Sequence, residues 1–103
     1  MITIFGSINV DLVLKVDHLP LPGETVLCPT YEAVAGGKGA NQALAAAQAG
    51  ADVRMVGCVG KDRFADIAIH DLTAANVELS NIQQTLSPTA CAAVMVDAKG
   101  ENS

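Results

Sequence analysis

Tryptophan is absent from the 103 residues, only one tyrosine and two phenylalanines occur, and six Lys and Arg stand against 11 Asp and Glu, a net charge of -5. Without a basic cluster the chain has no surface for nucleic acid, because phosphate contacts need concentrated lysine and arginine. A nucleotide ligand is not excluded; its phosphates would have to be held by local dipoles, magnesium and a few placed cations. The three cysteines, Cys28, Cys58 and Cys91, are odd in number and include no Cys-x-x-Cys pair, which speaks against a disulfide framework or a zinc site. His18 and His70 lack partners at metal-ligand or triad spacing and read as surface histidines, so no metal site is expected. No apolar run reaches membrane-spanning length, and Ile2–Phe5 follows Met1 with no charged n-region before it. The expected location is the cytoplasm, with no membrane partner.

What the chain does have is glycine in one informative place. Ala35-Gly36-Gly37-Lys38-Gly39-Ala40-Asn41-Gln42-Ala43 is a glycine-rich turn running into an alanine-rich segment. Such a turn lets backbone approach a ligand, and the first N–H groups of the following helix have no intrahelical acceptor. A P-loop is excluded, since alanine follows Gly39 where a hydroxyl would be needed for magnesium. A dinucleotide fingerprint fails as well: Asp62, at about the right distance for the acidic residue, follows Gly60-Lys61 and reads as a helix N-cap. A turn whose glycines only cap and pack remains the alternative to a small-molecule site.

A second block, Gly6-Ser7-Ile8-Asn9-Val10-Asp11, follows the apolar run Ile2–Phe5. On an extended chain Asn9 and Asp11 point the same way, and two short acceptors aimed into a cleft suit a polyol. The alternative is an Asx turn that bonds only its own backbone.

The coarse pattern is α/β. Ile2–Phe5 and Val10–Val16 read as strands, and Pro20, Pro22 and Gly23 then break regularity, leaving Glu24–Val34 as a short hairpin or flap. Ala40–Ala49 reads as a helix with Gly50 as its left-handed cap. Val53–Val59 has the pattern of a strand covered on both faces, and the helix between strands implies a right-handed crossover. Asp62 caps a helix with Phe64, Ile67, Ala68 and Leu72 on one face, fading near Asn76; Asp62, Asp66 and Asp71 read as a solvated face. After a polar stretch, Ala90–Val96 reads as a strand ending in a turn at Asp97–Gly100. With 50% hydrophobic residues this is enough for one compact core.

Taken in order, Gly6–Asp11, Pro20-Leu21-Pro22-Gly23-Glu24-Thr25, Gly36–Ala43 and Gly50-Ala51 resemble the N-terminal part of the PfkB family of carbohydrate kinases, also called the ribokinase family. The resemblance covers the whole chain. It implies a partial doubly wound, Rossmann-like sheet with a small β lid, the lid formed by about residues 14–34 and 90–103. It also implies that Asn9 and Asp11 bond sugar hydroxyls, that Gly37, Lys38 and Asn41 complete the polar side while Gly36 and Gly39 shape the turn of the binding site, and that Ala92 and Val94 give an apolar wall. Its expected activity is ATP-dependent phosphorylation of ribose, with fructose, deoxygluconate or nucleoside kinases as competitors and a non-catalytic sugar-binding or dimerising fragment as the alternative class. ATP and magnesium are the expected cofactors of a full-length member, with a monovalent cation as a further candidate. A homodimer through the lid is the expected partner arrangement. One departure from the family pattern is Ala65, where a glycine is usual.

The family's catalytic Gly-Ala-Gly-Asp helix start is not in these residues. Gly50-Ala51-Asp52 imitates part of it, but leaves a helix for a strand instead of opening a helix. The catalytic and ATP half is expected beyond residue 103, and the isolated chain is expected to transfer no phosphate. Turnover with ATP, magnesium and ribose should equal a buffer blank, and sugar-dependent ADP release from the purified chain would overturn this.

Overall fold

The computed structural model describes residues 1–101, in the order β1 (Ile2–Phe5), β2 (Asn9–Lys15), β3 (Thr30–Gly36), α1 (Lys38–Gln48), β4 (Val53–Gly60), α2 (Arg63–Ala74), β5 (Ile82–Thr85) and β6 (Ala90–Val96). The strands form two sheets of three. One is all parallel in the order β1-β4-β5; the other has the order β3-β2-β6, with β2 antiparallel to β3 and parallel to β6.

Alternation decides which side of each strand is buried. Ile2 and Ile4 stand opposite Val53 and Met55, putting four apolar side chains on one face of the first sheet. Alanine makes it possible for α1 to lie close there, burying Ala40 and Ala43, while α2 buries Ala65, Ala68 and Leu72. Val10 of β2 is fully buried in the same core as Met55, and Leu12 and Ala33 pack against it. The two sheets therefore share one core, with α2 against both.

Both helices end as the sequence leads one to expect. Asp62 is extended and its carboxylate accepts the Ala65 N–H at 2.9 Å. Gly50 sits at φ 97° and donates to the Ala47 carbonyl, the left-handed cap. Ala65 fits a buried position despite its extra methyl. The turn after β6 also forms, with the Lys99 and Glu101 N–H groups donating to the Asp97 carboxylate.

β2 belongs wholly to the second sheet, which therefore starts at Asn9. Three expectations need correction. No hairpin forms within Glu24–Val34; Thr30–Gly36 is a single strand beside β2, and Val16–Pro29 is an irregular excursion closed by a turn at Leu21–Glu24. Ile82–Thr85, too polar and short to stand out, is the third strand of the first sheet. Val53–Val59 is covered on one face only among the described residues: the other carries Cys58, exposed, and Val56, which pairs with Phe5 of β1, 85% exposed. Of the segment 90–103, positions 102 and 103 lie outside the described residues.

The excursion is held by a small polar clasp. Glu24 accepts the Leu21 N–H at 3.0 Å and meets the His18 ring at 3.0 Å, with Asp17 on the other ring nitrogen at 3.5 Å. Glu24 is held below its ordinary 4.5, by the Leu21 N–H first and His18 second. His18 is raised above its ordinary 6.5 by Glu24 first and Asp17 second. The His18 contribution is complete below 6.5 and disappears as pH rises through its raised value; that of Glu24 is complete above 4.5 and disappears as pH falls through its lowered value. Protection of the Leu21 amide, corrected for intrinsic exchange, should therefore be greatest between those two ordinary values. His18→Gln should remove the loss on the alkaline side.

Candidate functional site

The site is built where the connection from β1 to β2 crosses the turn from β3 into α1. At this crossing the backbones leave no room for side chains. A Cβ on Gly39 would lie 2.7 Å from the Gly6 carbonyl carbon and the Ser7 nitrogen, and one on Gly37 would lie 2.6 Å from the Ser7 oxygen. Gly37 also sits at φ 97°, a conformation that only glycine adopts cheaply. Ser7 caps the helix from across the crossing: its carbonyl accepts the Ala40 N–H at 2.9 Å, and its hydroxyl lies 3.4 Å from the Gly39 nitrogen. These two donors are thus committed to protein, which narrows the expectation that a ligand uses the first N–H groups of the helix.

Asn9 and Asp11 leave this crossing on β2 and point to the side opposite the buried Val10. They are half-buried, and the Asn9 amide donates to the Asp11 carboxylate at 2.8 Å. The pair bonds side chain to side chain, so the Asx-turn alternative falls. That bond fixes the Asn9 amide with its oxygen toward Gly37, where an added Cβ would lie 2.9 Å away. Gly36 lies against Asp11, with space for a Cβ only 2.7 Å from the carboxylate. Two glycines therefore shape the floor beneath two polar side chains.

The neighbouring strands complete the face. Ala92 pairs with Asp11 and Val94 with Val13 across β6, and Val34 pairs with Asp11 across β3, so all share its side of the sheet. Lys38 and Asn41, three apart on α1, are both exposed, while Gly39, Ala40 and Ala43 form the buried side. Among the described residues neither bonds to Asn9 or Asp11, and both stand exposed at the helix start. Gly39 is buried backbone and acts as a spacer.

Ser7 and Gly6 were not singled out by their chemistry in the sequence; a serine after glycine gives no sign that it caps a helix 30 residues on. The sequence marks Asp62 as a helix cap on a solvated face, yet its carboxylate also takes both donors of the buried Thr89, the hydroxyl at 2.7 Å and the N–H at 2.9 Å. The Thr89 hydroxyl first and its N–H second hold this carboxyl below its ordinary range, against the opposing effect of desolvation. A groove of about 450 Å³ between β3 and α2, lined by Ala33, Ala35, Ile67 and His70 among others, lies off this site. Among the described residues no three His, Cys, Asp or Glu side chains are grouped to hold a metal.

The pattern described as pfkB family carbohydrate kinase matches residues 1–103, the whole chain. The chain belongs to the PfkB family of carbohydrate kinases. Among curated relatives, the ribokinase of Bacillus subtilis (strain 168) is 42% identical over 102 residues, covering 99% of this chain and 35% of the relative. The deoxyribokinase of Salmonella typhi is 36% identical over 103 residues, covering 99% and 34%. The solved structure of Arabidopsis thaliana ribokinase complexed with ribose and ATP matches with a TM-score of 0.88 at 33% identity, over 99% of this chain and 34% of that one. The fold is thus part of the ribokinase-like α/β fold, and the chain spans about a third of the length of the relatives it matches.

The crossing yields a stability prediction. Gly39→Ala forces backbone against backbone, and should lower the unfolding free energy by about 1–3 kcal/mol in urea titrations. An unchanged midpoint would mean that the crossing is loose.

Proposed function

We propose that these residues are the sugar-binding part of an ATP-dependent kinase whose first candidate substrate is ribose. The observation that carries this reading is the Asn9–Asp11 pair seated on Gly36 and Gly37, the turn from which α1 starts at Lys38. With Asn9 donating to one oxygen of Asp11, the carboxylate keeps its other oxygen as an acceptor for a sugar hydroxyl. The ammonium of Lys38 and the amide of Asn41 supply donors to hydroxyl lone pairs, and Ala92 and Val94 face the apolar side of the ring. A site of this kind selects by hydrogen bonds, rejecting analogues that leave its polar groups unpaired. A deoxyribose substrate is the nearest alternative, favoured by the deoxyribokinase similarity, and differs by one such hydroxyl.

Phosphoryl transfer needs an activated hydroxyl, an anion hole and charge neutralisation at the phosphates. ATP supplies the phosphoryl group, with magnesium as its counter-charge. The role of this segment is to hold the sugar and exclude water, while the base and phosphate contacts belong to the rest of a full-length kinase. In the same reading the second sheet acts as a lid. Its edge strand β3, with Tyr31 exposed, is the surface on which a second copy would pair.

In a kinase of full family length carrying this segment, Asp11→Ala should raise the KM for ribose by tenfold or more and leave that for ATP nearly unchanged. Loss of a charged acceptor to a buried hydroxyl costs about 1.5–3 kcal/mol. Steady-state kinetics with both substrates varied measure this, and an unchanged ribose dependence would remove Asp11 from the site.

A further inference from the structure

β6 supplies the wall of the proposed sugar site, yet nothing in its small-residue sequence, Ala-Cys-Ala-Ala-Val-Met-Val, specifies its register against β2. In strands a slip of one residue turns every side chain to the other face. Here it would exchange Ala92 and Val94 for Cys91 and Ala93 beside Asp11. The register is anchored one residue before the strand begins. Thr89 is buried, 4% exposed, and both its hydroxyl and its N–H are directed to the end of β4 and the cap of α2. Its hydroxyl donates to Asp62 Oδ1 at 2.7 Å and accepts the Gly60 N–H at 2.9 Å, while its own N–H donates to Asp62 Oδ2 at 2.9 Å. Gly60 has no side chain because a Cβ there would lie 2.5 Å from the Ser87 oxygen and 2.6 Å from the Thr89 nitrogen. The next residue, Ala90, pairs with Asn9.

We propose that Asp62 and Thr89 are positioning residues for sugar binding: their clamp fastens the start of β6 to the end of β4 and the cap of α2, and so sets which β6 side chains face Asp11. Neither residue touches the sugar. Asp62 does more than cap, since the cap uses one oxygen, shared with the Thr89 hydroxyl, and the second oxygen serves Thr89 alone. The consequence for sugar rests on the sugar-kinase reading above; the clamp itself does not.

The test uses a full-length kinase carrying this segment, with amide exchange and kinetics measured on the same protein. Thr89→Val removes the hydroxyl and leaves the helix cap intact. It should speed exchange of the 90–96 amides by about tenfold. The ribose KM should rise about five- to tenfold while the ATP KM stays within about twofold. Thr89→Ser, which keeps the hydroxyl, should restore both. Should Thr89→Val fail to fold, Asp62→Asn gives the same readout. Asparagine caps helices well, but its NH2 must face either the Thr89 or the Ala65 N–H. Unchanged exchange in β6 overturns the clamp, and faster exchange with an unchanged ribose KM overturns its positioning role. A wild-type protein that neither binds nor phosphorylates ribose would count against the sugar-kinase reading, and the β6 exchange would still decide whether the clamp exists.

Discussion

The close approach of Gly6-Ser7 to Gly37-Lys38-Gly39-Ala40 is the contact on which the other features of this structure depend. Two backbones meet where a single methyl group would collide, and Ser7 turns the contact into a helix cap. Because the crossing lies between β1 and β2 on one side and between β3 and α1 on the other, it joins the two sheets. It also decides where α1 starts, and it places Asn9 and Asp11 directly after the contact. A looser crossing would displace the polar pair from the helix start together, since both are carried by the same few residues.

A third strand of chain passes between the sheets at Ser87–Thr89, and it is held by different chemistry. The glycine crossing excludes side chains, whereas the Thr89 passage is bonded by them, to a carboxylate and a backbone N–H. Each solution suits its neighbourhood. The first lets two backbones touch at the start of β2, and the second fixes a strand whose own sequence is nearly featureless. Between them α2 packs on both sheets, so the polar face of β2 rests on a shared apolar core.

Much of this was legible in the sequence because the relevant signals are local. Asp62 before Arg63–Ala74 and Gly50 after α1 mark helix ends by well-understood chemistry, and the alternation around Asn9 and Asp11 gave their common direction. The resemblance to carbohydrate kinases followed from the order and spacing of glycine blocks that no single motif would carry. What was not legible depends on distant partners. Ile82–Thr85 is a strand because β4 offers it a parallel neighbour, not because two glutamines favour extension. Glu24–Val34 reads in the sequence as a short hairpin or flap, but the β2 edge is the better partner for Thr30–Gly36. The apparent solvation of Asp62 could not reveal Thr89, which is 27 residues away in the chain.

β2 pairs with β3, which follows it closely, and with β6, the last strand of the chain described here. The two halves of the second sheet therefore cannot arise by the same route. The β2–β3 pair can form from nearby residues, but Asn9 must wait for Ala90 while both helices and β4 are made between them. Distant pairings of this kind slow folding, and a strand waiting for its neighbour exposes open hydrogen-bonding groups. During synthesis on the ribosome, the strand that carries Asn9 and Asp11 is thus the central strand that waits longest for its second neighbour, and premature pairing with another nascent chain is the hazard its early position creates.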